Sequence, residues 1–206
     1  VMSYGSAELF ESSHPHGVDE LRYEISKYLR QSRGVVCQPA DVLIGAGTQY
    51  LIMILSRLLG QDTIIGMENP TYLQVYQTFA ALNHTVVPIP VDENGMQLEE
   101  LFCSEAQVAY VTPSHQYPLG AVMPVNHRMK LLNWAREKSN RYIIEDDYDS
   151  EFRYQGKPIP SLQGLGEGKK VIYMGTFSKV ISPAIRMSYM VLPKNLMKRY
   201  DDIFNG

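Results

Sequence analysis

The sequence predicts an α/β domain on a largely parallel sheet, from two observations. Short apolar runs of strand type alternate with segments of helical period, and seven such runs are spread along the chain, enough for one complete sheet. No internal repeat or low-complexity stretch interrupts the alternation.

In chain order, residues 19–33 read as a helix. Leu21, Ile25, Tyr28 and Leu29 share one stripe, and Gly34 suits the C-terminal cap. A short strand at 42–44 meets Gly45-Ala46-Gly47, which turns the chain into a helix over 48–59. Further strands are expected at 63–67, 85–89, 108–112, 142–145, 171–174 and 188–192, with helices between several of them, at about 71–82 and 125–138. Pro70 and Pro124 sit where prolines are tolerated, at helix starts. Asp92-Glu93-Asn94-Gly95 is a turn. Each junction from a strand's carboxyl end into the next helix is a candidate ligand position.

Composition narrows the class of protein. At 206 residues the chain can bury a sizeable core, and 45% apolar with 20% charged content is ordinary for a globular protein. With 19 basic and 22 acidic residues, net charge −3, there is no electrostatic footprint for nucleic acid and no polybasic membrane patch. The longest apolar stretch, Leu51 to Leu55, falls far short of the ~18 residues of a membrane span, and residues 1–10 do not form a signal peptide. The expectation is a soluble, cytoplasmic protein. Cys37 and Cys103, outside any CxxC pair, read as buried thiols of a reducing compartment.

Five segments carry candidate chemistry. Gly45-Ala46-Gly47-Thr48-Gln49 offers free N–H groups at a helix start, which attract anions, although packing alone also produces glycine-rich turns. It lacks the lysine of a nucleotide P-loop and the full dinucleotide fingerprint. Tyr72 enters a helix after Glu68-Asn69-Pro70-Thr71, either as a partly buried loop residue or with its ring on a planar ligand. Val111 to Gly120 is a strand end passing into a polar, proline-punctuated loop that carries His115, Gln116 and Tyr117.

The fourth segment places five carboxylates between 145 and 151, directly after an apolar strand. It reads as a solvated acidic loop or as charge awaiting a positive partner such as a protonated pyridine nitrogen. No histidine adjoins it, and the spacing is not that of an EF-hand, so no metal site is expected. In the fifth, Thr176, Ser178, Lys179 and Arg186 group an amine nucleophile with three anion-binding side chains. Lysine forms Schiff bases with aldehydes, and hydroxyls with a guanidinium satisfy a phosphate dianion.

In this order the five segments resemble the large domain of fold-type I pyridoxal-phosphate (PLP) proteins. Within that superfamily they look most like the MocR-type regulators of the GntR group. The carrying motifs are SHQYPLG (114–120), IEDDYDSEFRY (144–154), YMGTFSKVISPAIRMSYMVLP (173–193) and the LR..I..YL..SRGV pattern (21–36). The resemblance implies an aspartate-aminotransferase-like, three-layer α/β/α domain with a mainly parallel seven-stranded sheet. It also implies that residues 1–206 are the PLP-binding part of a longer protein, whose winged helix-turn-helix and C-terminal small domain lie outside this sequence.

Carried over by position, Lys179 would hold PLP as the internal aldimine and be the catalytic lysine of any transamination. Asp146 would pair with the pyridinium nitrogen, with Asp147 as its rival. Tyr148 would bond the ring hydroxyl, Tyr72 would stack on the ring and His115 would lie near it. Thr48, Gln49, Thr176, Ser178 and Arg186 would cradle the phosphate. Tyr117 stands where aminotransferases carry an asparagine on the ring hydroxyl, leaving that contact to Tyr148 or His115. Ser12 stands where the family often has a tyrosine reaching the neighbouring subunit's phosphate.

The implied function is a sensor. An amine or amino-acid effector, or PLP itself, would alter closure or dimer geometry in a homodimer, and the change would pass to DNA through the missing domain. The alternative is a PLP-dependent aminotransferase of amino acids, and a third reading is a PLP-free α/β binding module.

Overall fold

The computed structural model describes residues 14–149, 160–177 and 186–204. Ser178 and Lys179, part of the acidic run (Ser150, Glu151, Phe152) and Ser12 lie outside them. Eight strands form one sheet: β1 (Val42–Gly45), β2 (Ile65–Asn69), β3 (Val86–Asp92), β4 (Gly95–Met96), β5 (Val108–Val111), β6 (Tyr142–Asp147), β7 (Val171–Thr176) and β8 (Ser188–Val191). Their spatial order is β1-β8-β7-β6-β5-β2-β3-β4. The central pairs β2–β3, β2–β5, β5–β6 and β6–β7 are parallel, whereas β8 runs antiparallel to both β7 and β1. The carboxyl ends of β1, β2, β5, β6 and β7 and the start of β8 therefore share one edge of the domain.

The expected count of seven strands becomes eight through β4. The turn at 92–95 closes a two-residue hairpin, pairing Val91 with Met96 and Asp92 with Gly95. β3 also runs further than expected, through Pro88 and Pro90. Proline removes a ladder donor and is tolerated at an edge. The backbone of Pro90 faces that outer side, where its carbonyl accepts from Gln97 N at 2.9 Å.

Helices cover both faces. On one face α2 (Thr48–Leu59), α3 (Leu73–Ala81) and α7 (Lys194–Phe204) bury Leu51, Leu55, Phe79 and Tyr200 against Met67, Tyr110, Ile144 and Met174. On the other lie α1 (Asp19–Arg33), α4 (Leu98–Cys103), α5 (Val125–Arg136) and the short α6 (Leu162–Leu165). There Leu131, Leu132 and Trp134 pack on Ile143 and Val171, while Ile25 and Leu29 pack on Tyr173, Tyr189 and Val191. The three layers follow from the period-2 alternation of the strands, each side of which needs an apolar cover.

α1 has the expected bounds and ends on Gly34 at φ 65°, with Asp19 and Glu20 in its first turn and Arg30 and Arg33 in its last, matching the helix dipole. α2 also has its expected bounds, while α3 and α5 are each shorter than expected. Cys37 is buried, but Cys103 is exposed at the end of α4, contrary to expectation: the helix presents Phe102 and Cys103 outward and buries Leu98 and Leu101. No helix among the described residues is long and apolar enough to cross a membrane.

Candidate functional site

A cavity of about 360 Å³ opens at the shared edge of strand ends. Thr48, Gln49, Tyr72 and Asp146 line it, together with Tyr148, Thr176 and Arg186, so seven of the ten residues singled out from the sequence converge there. His115 stands behind Tyr148, in contact with its hydroxyl. Thr112, Tyr117, Gln74 and Ser188 complete much of the wall.

One corner is built for an anion. α2 begins at Thr48, and its N-cap is Gly47, which has no side chain to occupy the first N–H groups. Arg186 lies against this turn: a Cβ on Gly47 would come within 3.1 Å of its Nη2. Gly47 also sits at φ 98°, a conformation that L side chains rarely adopt. The backbone thus favours glycine, and a Cβ there would also press on the guanidinium. Helix N-terminus and guanidinium together favour a dianion such as phosphate. Ser188 adds an Oγ that is buried and has no hydrogen-bond partner among the described residues. Thr176, across from Ser188 in the β7–β8 register, donates to Met187 O at 3.3 Å.

A second wall is aromatic. Tyr72 and Tyr117 meet edge to face with centroids 5.6 Å apart, and Tyr117 meets Tyr148 likewise at 6.0 Å. The Tyr72 hydroxyl donates to Gln74 Oε1 at 2.6 Å. Tyr117 is held by its loop: its N–H donates to Thr112 Oγ1 at 3.2 Å, and Thr112 Oγ1 donates to Glu68 Oε2 at 2.7 Å. Glu68 is wholly buried, and burial pushes its carboxyl up to about 7.

The acidic run resolves into separate partners. Alternation along β6 sends Ile144 and Asp146 to one face of the sheet and Ile143, Glu145 and Asp147 to the other. Glu145 accepts from Leu162 N at 2.8 Å and Gln163 N at 2.9 Å, at the start of α6, and burial pushes its carboxyl up to about 7. Asp147 accepts from Arg33 Nε at 2.8 Å and from the Tyr173 hydroxyl. Burial works against the Arg33 charge, but Asp147 and Tyr173 hold its guanidinium above the ordinary value. Asp149 meets His115 Nδ1 at 2.6 Å. Asp146 alone of these four lines the cavity, and it accepts a bond from the Tyr110 hydroxyl at Oδ2. Among the described residues no three acidic, histidine or cysteine side chains form a metal site.

Sequence reasoning missed Arg33, Tyr110, Gln74 and Ser188. Arg33 falls in the last turn of the helix at 19–33 and Tyr110 inside the strand at 108–112, and neither carries a local signal of its partner. The period-2 pattern of β5 places Tyr110 on the Asp146 face, which is the one signal that points to it.

The residues present fit PLP: an orphaned buried hydroxyl and a glycine-made cradle face an arginine, and a buried carboxylate and a tyrosine wall complete the enclosure.

A model of the family described as aminotransferase class I and II matches residues 5–203. Among curated relatives, the uncharacterized HTH-type transcriptional regulator YdeL of Bacillus subtilis is 48% identical, covering 95% of this chain and 42% of its own length. The probable rhizopine catabolism regulatory protein MocR of Rhizobium meliloti is 39% identical, covering 94% of this chain and 39% of its own. Among solved structures, Pyrococcus horikoshii kynurenine aminotransferase in complex with PMP superposes with a TM-score of 0.86 at 29% identity, covering 98% of this chain and 52% of that one. The chain thus spans about two fifths of the length of these regulators and is similar to them over nearly all of its own. Its fold is that of the PLP-dependent aminotransferases, and the chain belongs to the aminotransferase class I and II family.

Proposed function

We propose that this chain is the PLP-binding effector part of a transcription regulator. The observation that carries the cofactor is the pairing of the Gly47–Thr48–Gln49 helix start with Arg186 on one cavity wall. What favours a regulator is the similarity to YdeL and MocR.

PLP supplies an aldehyde that condenses reversibly with amines and a pyridinium ring that withdraws electrons. In this reading Arg186, Thr48, Gln49 and Thr176 bind the phosphate, with Ser178 joining them from outside the described residues. Tyr72 covers a ring face, Asp146 holds a proton at the ring nitrogen, and Tyr148 donates to the ring oxygen. Lys179, also outside the described residues, supplies the amine that an effector amine or amino acid would compete with. A homodimer is part of the proposal. Tyr50 and Met53 on α2 and Leu73 and Tyr76 on α3 are exposed beside the cavity, an apolar face for a second copy. DNA would be met by another domain of the longer protein, in the cytoplasm.

The test is an absorption spectrum of the full-length protein with and without PLP, repeated on Lys179→Ala. A new visible band that disappears in the variant is expected. A spectrum that PLP leaves unchanged sinks the proposal. The solved aminotransferases of the same fold support a second reading, an amino-acid aminotransferase. Sustained keto-acid formation with an added acceptor would establish it over the sensor.

A further inference from the structure

Behind the cavity wall, the loop after β5 meets the end of β6. His115 Nδ1 lies 2.6 Å from Asp149 Oδ2 and 3.2 Å from the Tyr148 hydroxyl. The His115 and Tyr148 rings are within 19° of parallel, with centroids 6.2 Å apart. Asp149 is only 5% exposed, so its charge depends on a protein donor. The far edge of the imidazole lies close to the backbone of Gly120, where an added Cβ would come within 3.3 Å of His115 Nε2. Only Tyr148 of this trio lines the cavity wall described above.

The tautomer follows from the acceptor. An ionised carboxylate has no hydrogen to give, and two acceptors 2.6 Å apart repel. The hydrogen is therefore on His115 Nδ1. That nitrogen then has no lone pair for the phenol, so the Tyr148 oxygen can only accept a share of the same N–H. Its own O–H must turn away from His115. We infer that the Asp149–His115 pair fixes the hydrogen-bond polarity of Tyr148, presenting its hydroxyl to the cavity as a donor for an aromatic oxyanion. This rests on the proposed function, where that oxyanion is the ring oxygen of a 3-hydroxypyridine phosphate. His115 is then a positioning residue: it acts through Tyr148, and the ring contact belongs to Tyr148.

The test measures equilibrium binding of two probes to the full-length protein. One is 4-deoxypyridoxine 5′-phosphate, which keeps the ring oxygen and has no aldehyde; the other is its analogue lacking the 3-hydroxyl. Tyr148→Phe and His115→Leu should each weaken the first probe about five- to tenfold. The double variant should bind no worse than Tyr148→Phe, because both changes remove one interaction. His115→Asn, whose amide can donate to Asp149 from nearly the same place, should recover most of the affinity. The second probe should bind all of these proteins alike. Equal losses on both probes, or losses that multiply in the double variant, would overturn the inference while leaving PLP binding intact. Failure of the unaltered protein to bind either probe would overturn the proposed function and this inference together.

Discussion

Asp146 and Asp147 are neighbours in the chain, both buried, and they meet opposite surroundings. Asp147 faces α1 and accepts from both Arg33 and Tyr173 at one oxygen, Oδ2. Asp146 faces the cavity with the Tyr110 hydroxyl on one oxygen. A strand that alternates its side chains can thus place a carboxylate that holds the fold beside one that opens on a cavity. The face, set by parity, decides which is which.

The sharpest way to break this comparison is Asp147→Ala. Arg33 would be left as a buried charge without its carboxylate, and loss of one partner of such a pair costs about 3–5 kcal/mol. Urea denaturation of the cofactor-free protein should show that loss. A change under ~1 kcal/mol would mean that Asp147 is not structural. On the cavity side, Gly47→Ala should cost about 1–3 kcal/mol of stability from backbone strain. It should also weaken phosphate-containing ligands by crowding Arg186, which a binding titration reads. If the variant binds as tightly as the parent, the anion corner is misassigned.

Asp146→Asn should show the reverse pattern. Stability should stay within about 1 kcal/mol, while affinity for PLP falls about tenfold as the charge-assisted bond to a protonated ring is lost. Equal stability losses at 146 and 147 would erase the distinction.

The smallest effect concerns pH. Glu68 and Glu145 are both raised by burial from 4.5 to about 7, so the folded protein binds these protons more tightly than the unfolded chain does. Their contribution to stability is therefore greatest at low pH and is lost as pH rises from about 4.5 through about 7. Glu68→Gln should flatten that slope in denaturation series run across this range, because its amide needs no proton.

Much of the fold was legible because its signals are local. The stripe of Leu21, Ile25, Tyr28 and Leu29 with Gly34 announces α1, and the glycine turn at 45–47 announces α2. α6, only four residues long and capped by Ser161, shows no period at all. α7 buries Leu196, Met197 and Tyr200 on one stripe of an otherwise polar segment, a pattern present in the sequence but not drawn from it.

The site divides in the same way. Thr48 and Tyr72 stand at strand–helix junctions, and Asp146 and Arg186 stand at or beside strand ends, where local sequence and family likeness point together. The partners that separate Asp146 from Asp147 do not. Arg33 is 114 residues from Asp147 and Tyr110 is 36 from Asp146, so only the folded sheet joins them. The acidic run read either as a solvated loop or as charge awaiting a positive partner. In the fold, Glu145, Asp147 and Asp149 each find protein donors.

Trp134, the one tryptophan of the sequence, is 3% exposed on α5, with the Arg141 guanidinium 4.6 Å above its ring. It lies across the sheet from the face that carries Asp146. The sequence therefore carries a single indole, which can be excited selectively beside its 14 tyrosines, set away from the cavity walls and against the layer that maintains the fold. Emission from Trp134 serves as a background channel: a spectral shift on adding an amine would report a disturbance that has crossed the sheet, whereas absorbance changes without one would report chemistry confined to the cavity.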